Sequence, residues 1–145
     1  MPKFVTVDQT VNEKLIAIVE SRVEDYLSQI FEAQELTKED NIYAFRFGTV
    51  QVFIQIKPYH FDNALVYMYS YLAENVPITL ENAGELLRLN AIIPFGSFGI
   101  TFDNTVIYAY SMPGVQLDFE EFRTALQTVA TIADNYDEKV LAMVS

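Results

Sequence analysis

From Tyr43 to Ile56, and again from Phe98 to Phe102, the apolar side chains of this chain recur at every second residue, while in residues 10–31, 79–90 and 118–144 they recur at every third or fourth. A period of two puts successive side chains on opposite faces of a strand; a period near 3.6 gathers them on one side of a helix. A chain that passes from one period to the other and back must lay runs of strands between helices. That defines an α+β fold, an antiparallel sheet with helices packed on it, and is at odds with a parallel sheet in which strands and helices alternate singly.

Residues 10–31 place Val11, Leu15, Ile18, Val19, Val23, Tyr26, Leu27 and Ile30 on one helical stripe, and Thr10 with Glu13 has the spacing of a capping box. A polar, acidic connector covers residues 32–41. Tyr43, Phe45 and Phe47 then alternate with Ala44 and Arg46. After Gly48-Thr49, Val50, Val52, Ile54 and Ile56 alternate with Gln51, Phe53, Gln55 and Lys57, which predicts a hairpin. Residues 58–63 break the pattern, and Ala64–Leu72 predicts a third strand that completes a meander. Thr79 opens a second helix, with Leu80, Ala83, Leu86, Leu87 and Asn90 near one face and Pro94 beyond its end. Phe98, Ile100 and Phe102, a turn at Asp103-Asn104, and Val106–Ser111 predict a second hairpin. Asp118 with Glu121 caps a long last helix. The predicted order is α-β-β-β-α-β-β-α, as one domain over residues 1–145.

Charge excludes one class of partner. Twenty Asp and Glu against nine Lys and Arg give −11 over 145 residues, and both halves of the chain are acidic. Nucleic-acid binding needs clustered cations that displace counterions from phosphates, and no such cluster exists here. The apolar content of 51%, with 11 Phe and 9 Tyr, is far above that of a disordered acidic tail. With no cysteine, thiolate catalysis, redox switching and disulfides are excluded together. Met1–Asp8 carries no apolar run of signal-peptide length, and the longest apolar run, Ala64–Tyr69, is too short to cross a membrane. A cytoplasmic protein without a membrane span is expected.

The candidate catalytic constellations are sparse. His60 is the one imidazole and lies in a turn-rich segment, so no nucleophilic triad is expected. Gly96-Ser97-Phe98-Gly99 lacks the glycine two residues before Ser97 that a nucleophile elbow requires, and neither phosphate-cradling loop motif occurs. Asp134, Asp137 and Glu138 lack calcium-loop spacing and are read as a solvated helix face, as are the pairs Glu81 with Glu85 and Glu20 with Glu24. No cofactor, no metal and no enzymatic activity are expected.

The third strand is the informative one. Leu65, Tyr67, Tyr69 and Tyr71 point one way; Ala64, Val66, Met68, Ser70 and Leu72 point the other. Both stripes are largely apolar, yet only one has to meet the core. Phe53, on the otherwise polar side of the second strand, extends the tyrosine stripe. Tyrosine offers a large rigid ring with a polar tip, which suits an interface. Phe53, Leu65, Tyr67, Tyr69 and Tyr71 are therefore the candidate surface for a protein partner or a homodimer, with coverage by the chain's own helices as the alternative. A small-ligand-sensing domain, closing the aromatic surface over an apolar metabolite, is the second functional class.

Leu80-Glu81-Asn82-Ala83-Gly84-Glu85-Leu86-Leu87-Arg88-Leu89-Asn90, Phe98-Gly99-Ile100-Thr101-Phe102, the Asp103-Asn104 turn, Val106–Ser111, Met112-Pro113 and the Asp118 helix together carry a resemblance. They resemble the bacterial YbjN-like domains and the type III secretion chaperones of the Tir-chaperone kind. Leu86, Leu87, Leu89 and Asn90 match the middle-helix pattern, and Met112-Pro113 stands where Leu-Pro is usual. The local match spans roughly residues 79–141 and transfers no catalytic residue. The resemblance implies a type III secretion chaperone-like fold and a non-catalytic, homodimeric binder of an extended partner segment, acting as a chaperone, adaptor or regulator.

Overall fold

The first helical stripe folds as α1, Glu13–Ile30, in a computed structural model that describes residues 2–4 and 10–144. Of the N-terminal reading, residues 1 and 5–8 lie outside the described residues. The cap of α1 is Asn12, not Thr10: the Asn12 side chain accepts a hydrogen bond from the Leu15 amide and donates one to the Phe61 carbonyl. Asparagine is among the best N-caps, and this one also ties the helix start to a distant turn.

The acidic connector is not structureless. After a short 3-10 turn at Ala33–Glu35 it forms an edge strand, β1, Thr37–Glu39, which pairs antiparallel with β2, Ile42–Phe47. Gly48, at φ +57, makes the turn into β3, Val50–His60, and a Cβ there would collide with Asp134. Pro58 does not end β3. The strand runs on to His60 through a register shift, and β4, Asn63–Ala73, starts after only two turn residues. The order is thus α-β-β-β-β-α-β-β-α, one strand more than the sequence pattern predicts.

Helix α2, Leu80–Asn90, is capped by Thr79 as expected. Its buried face is Leu86 and Leu89, whereas Leu80 and Leu87, predicted near the inner face, are exposed. Strands β5, Ser97–Ile100, and β6, Val106–Pro113, form the second hairpin. Asn90 explains why an asparagine ends α2: its side chain accepts from the Phe98 amide at 2.7 Å and donates to the Phe98 carbonyl at 3.1 Å, so it satisfies the outer edge of β5. Helix α3, Phe119–Leu141, carries the Asp118/Glu121 capping box.

The six strands form one antiparallel sheet in the order β1-β2-β3-β4-β6-β5. Val19, Val23 and Leu27 of α1 and Phe122, Leu126, Val129, Ala133 and Val140 of α3 pack with Val52, Ile54, Val66, Met68 and Tyr108 of the sheet into one core. Each of the larger such side chains contributes roughly 1.5–3 kcal/mol when fully buried. Gly114 lets the chain cross close to this core, since a Cβ would strike Val19 and Val66. The Asp134 and Asp137 face of α3 is not simply solvated. Asp137 is buried, and its carboxylate accepts from the Thr49 hydroxyl at 2.8 Å while Asp134 accepts from the Thr49 amide at 3.0 Å, so the β2–β3 turn clasps the helix.

Candidate functional site: an aromatic sheet face

Strand β4 divides its two apolar stripes between two different environments. Ala64, Val66, Met68, Ser70 and Leu72 point into the core beneath α1 and α3, all of them buried. Leu65, Tyr67, Tyr69 and Tyr71 occupy the opposite face and take no part in that core. The register brings Phe53 of β3 directly opposite Tyr69, Gln55 opposite Tyr67, and Lys57 opposite Leu65. On the other side Ala109 of β6 meets Tyr69, Ser111 meets Tyr67, and Ile107 meets Tyr71.

The rings stack on one another. Phe53 and Tyr69 lie nearly parallel with centroids 5.2 Å apart, Tyr67 and Tyr69 are stacked at 4.7 Å, and Tyr71 meets Tyr69 edge-on at 5.5 Å. Tyr69 is only 6% exposed although it is no member of the helix-covered core; its neighbours on the sheet shield it. Tyr71, at the end of the row, is 53% exposed. Small side chains, Ala44 opposite Phe53 and Ala109 opposite Tyr69, flank the rings, so the aromatic row stands up as a ridge along β3 and β4. Four of the five predicted residues thus form one ring cluster; Leu65 shares their face further along the strand, between Lys57 and Pro113.

Electrostatics follow from this placement. Burial pushes the Tyr67 and Tyr69 phenols up, with Tyr71 a smaller contributor, so both hydroxyls stay protonated at neutral pH and offer hydrogen bonds. The Lys57 ammonium sits over the Tyr67 ring, 4.3 Å from its centroid. Lys57, Ala44, Ala109 and Ile107 escape the sequence reading of the site, because only the strand register shows that they share its face. The charged positions on this face are few: Glu39, Arg46 and Lys57.

Other features offer less chemistry. His60 ends β3, where its Nδ1 accepts from the Asp62 amide at 3.0 Å. Glu85 pairs with Lys139, and Glu24 with Lys38 and the Tyr43 hydroxyl. Among the described residues no group of three or more His, Cys, Asp or Glu could hold a metal ion. No helix of the described residues is long and apolar enough to cross a membrane. An apolar depression of about 140 Å³ lies between Phe31, Phe45, Phe47, Leu126 and Ala130, on the helix-bearing side of the sheet. That is below the roughly 300–1,000 Å³ of ordinary small-molecule pockets, whereas the depression lined by Tyr71, Glu74 and Phe102 measures about 490 Å³.

Three helices thus lie on one side of an antiparallel sheet and stacked aromatic rings on the other. The sequence profile of the T3SS (YopN, CesT) and YbjN peptide-binding chaperone 1 family matches residues 17–145. The chain belongs to that family and is a non-enzymatic, peptide-binding, chaperone-like protein. Its fold is similar to that of two solved structures. The ExsC-ExsE complex aligns with a TM-score of 0.64 at 14% identity, covering 88% of this chain and 96% of the matched one. The HopA1-SchA chaperone-effector complex aligns with a TM-score of 0.63 at 10% identity, covering 89% and 99%. Curated protein sequences give no match.

Proposed function

We propose that the chain holds an extended segment of a partner protein across Phe53, Leu65, Tyr67, Tyr69 and Tyr71. The observation that carries this reading is that these rings bury one another on a sheet face that none of the core-forming helices covers. An extended segment presents alternate side chains to such a face, and the phenol hydroxyls supply donors for its backbone. That one of the similar structures holds a chaperone with its effector supports the same reading. Tyr67→Ser combined with Tyr69→Ser tests it: binding of peptides on a synthetic array is expected to fall at least ten-fold with the circular dichroism spectrum unchanged. Unfolding of the variant would instead make the stripe a structural core.

The same proposal makes the chain a homodimer working in the cytoplasm. The surface for a second copy is α2, where Leu80 is 92% and Leu87 69% exposed, with exposed Ile78 and Ile92 beside them. Covering these four exposed apolar side chains with a second copy would remove them from water. Light scattering after size exclusion should show twice the chain mass, and Leu87→Asp should halve it. A monomer at every accessible concentration would refute the dimer. Fractionation of cells producing the chain tests the compartment.

A further inference from the structure

The two ends of the tyrosine row differ in what faces them. At one end the Tyr67 ring already holds a cation, the chain's own Lys57. At the other end the exposed Tyr71 ring opens onto a concavity of about 490 Å³ that it shares with Glu74, Phe102 and Asp103. Phe102 is fully exposed at the tip of the β5–β6 turn. The turn that carries it is built firmly: the Thr101 amide donates to the Thr105 carbonyl, the Val76 amide donates to the Asn104 carbonyl, and the Thr101 hydroxyl donates to the Asp103 carboxylate. That hydroxyl, with the one of Thr105, holds the Asp103 carboxyl below the usual range, so it is charged at neutral pH. Neither Glu74 nor Asp103 has an ion-pair partner among the described residues, and no cation of the described residues lies over Tyr71.

Two aromatic rings and two unpaired carboxylates around one concavity are the chemistry that receives an ammonium or guanidinium group. We propose that this concavity is a cation-binding subsite at the end of the peptide face, and that the partner segment places a Lys or Arg there, next to the apolar side chains lying on the ring row. The inference rests on the peptide-binding reading of that face. Charge complementarity favours this occupant over a second copy of the chain: at −11 the protein attracts a basic segment from a distance, whereas its own copy would bring further carboxylates to Glu74 and Asp103.

Selection of a random 12-residue peptide library on the immobilised full-length chain tests it. Enriched peptides are expected to carry a Lys or Arg at one end of an apolar, aromatic-rich stretch. Replacing that residue by norleucine or citrulline in the best peptide should weaken binding about ten-fold at low ionic strength, an effect that shrinks with added salt. Glu74→Gln with Asp103→Asn should remove the preference for the basic residue and leave the neutral peptide's affinity unchanged, since the amide that replaces the Asp103 carboxylate keeps an oxygen able to accept from Thr101. Enrichment of apolar peptides without a basic residue, or an unaltered preference in the double variant, would overturn the subsite and leave the ring face standing as the binding surface. No enrichment on the wild type relative to Tyr67→Ser/Tyr69→Ser would remove the peptide-binding face and the subsite with it.

Discussion

The inner and outer stripes of β4 are made of residues of similar apolarity, separated by the thickness of one strand, yet they do different work. Inside, Val66 and Met68 are wholly excluded from water by α1 and α3. Outside, Tyr67, Tyr69 and Tyr71 stack on one another and leave Tyr69 buried, Tyr67 half-buried and Tyr71 exposed. The difference teaches that burial on this sheet has two sources. Helix-covered residues are excluded from water by distant elements; the outer rings are shielded by their neighbours on the same sheet.

The sharpest break of that comparison is Met68→Ala. It removes a fully buried side chain from beneath two helices and should cost about 3 kcal/mol, read as a lower urea midpoint with an unchanged slope. Thr49→Val comes next. It deprives the buried Asp137 carboxylate of its hydroxyl donor and should cost about 1–3 kcal/mol by the same measurement. Tyr71→Ala on the outer stripe should stay within about 0.5 kcal/mol of wild type, because more than half of the residue is already in water. A loss comparable to that of Met68→Ala would erase the distinction between the two faces.

The smallest effect is a titration. Burial, reinforced by the Glu24 carboxylate, pushes the Tyr43 phenol on the inner side up to about 12 from 10.0. A phenol whose pKa is raised by folding stabilises the fold while it stays neutral. That contribution is complete below pH 10 and is lost as the pH rises through about 12. Phenolate absorbance should therefore show Tyr43 among the last tyrosines to ionise, and Tyr43→Phe should remove that late step. A full set of nine phenols titrating together near pH 10 would contradict it.

Much of this arrangement is legible in the order of residues alone. The β2–β3–β4 meander, the Thr79 and Asp118 caps and the pairing of Phe53 with the tyrosine stripe all follow from local pattern and spacing. Strand β1 is not legible, because Thr37-Lys38-Glu39 is exposed throughout and carries no apolar alternation; its pairing with β2 alone makes it a strand. The inner face of α2 is hidden for the opposite reason. Leu80, Leu86, Leu87 and Leu89 surround the helix, so periodicity does not choose between them until the helix docks beside β5 and Leu86 and Leu89 join the core. Asp137 reads as a surface acid on a helical wheel and is buried because a turn 88 residues away folds over it.

By itself the sequence determined the fold class, the acidic net charge and the presence of a strand with two apolar faces, since these depend on residue types and on periods that every local segment carries. Only the tertiary structure decided which of those faces is covered, that Lys57 caps one end of the ring row, and that Glu74, Phe102 and Asp103 line one depression with Tyr71 at the other. The physical reason is that covering a face is a contest between elements far apart in the chain. Alternation shows that a strand has two sides, and long-range packing chooses the one that stays open.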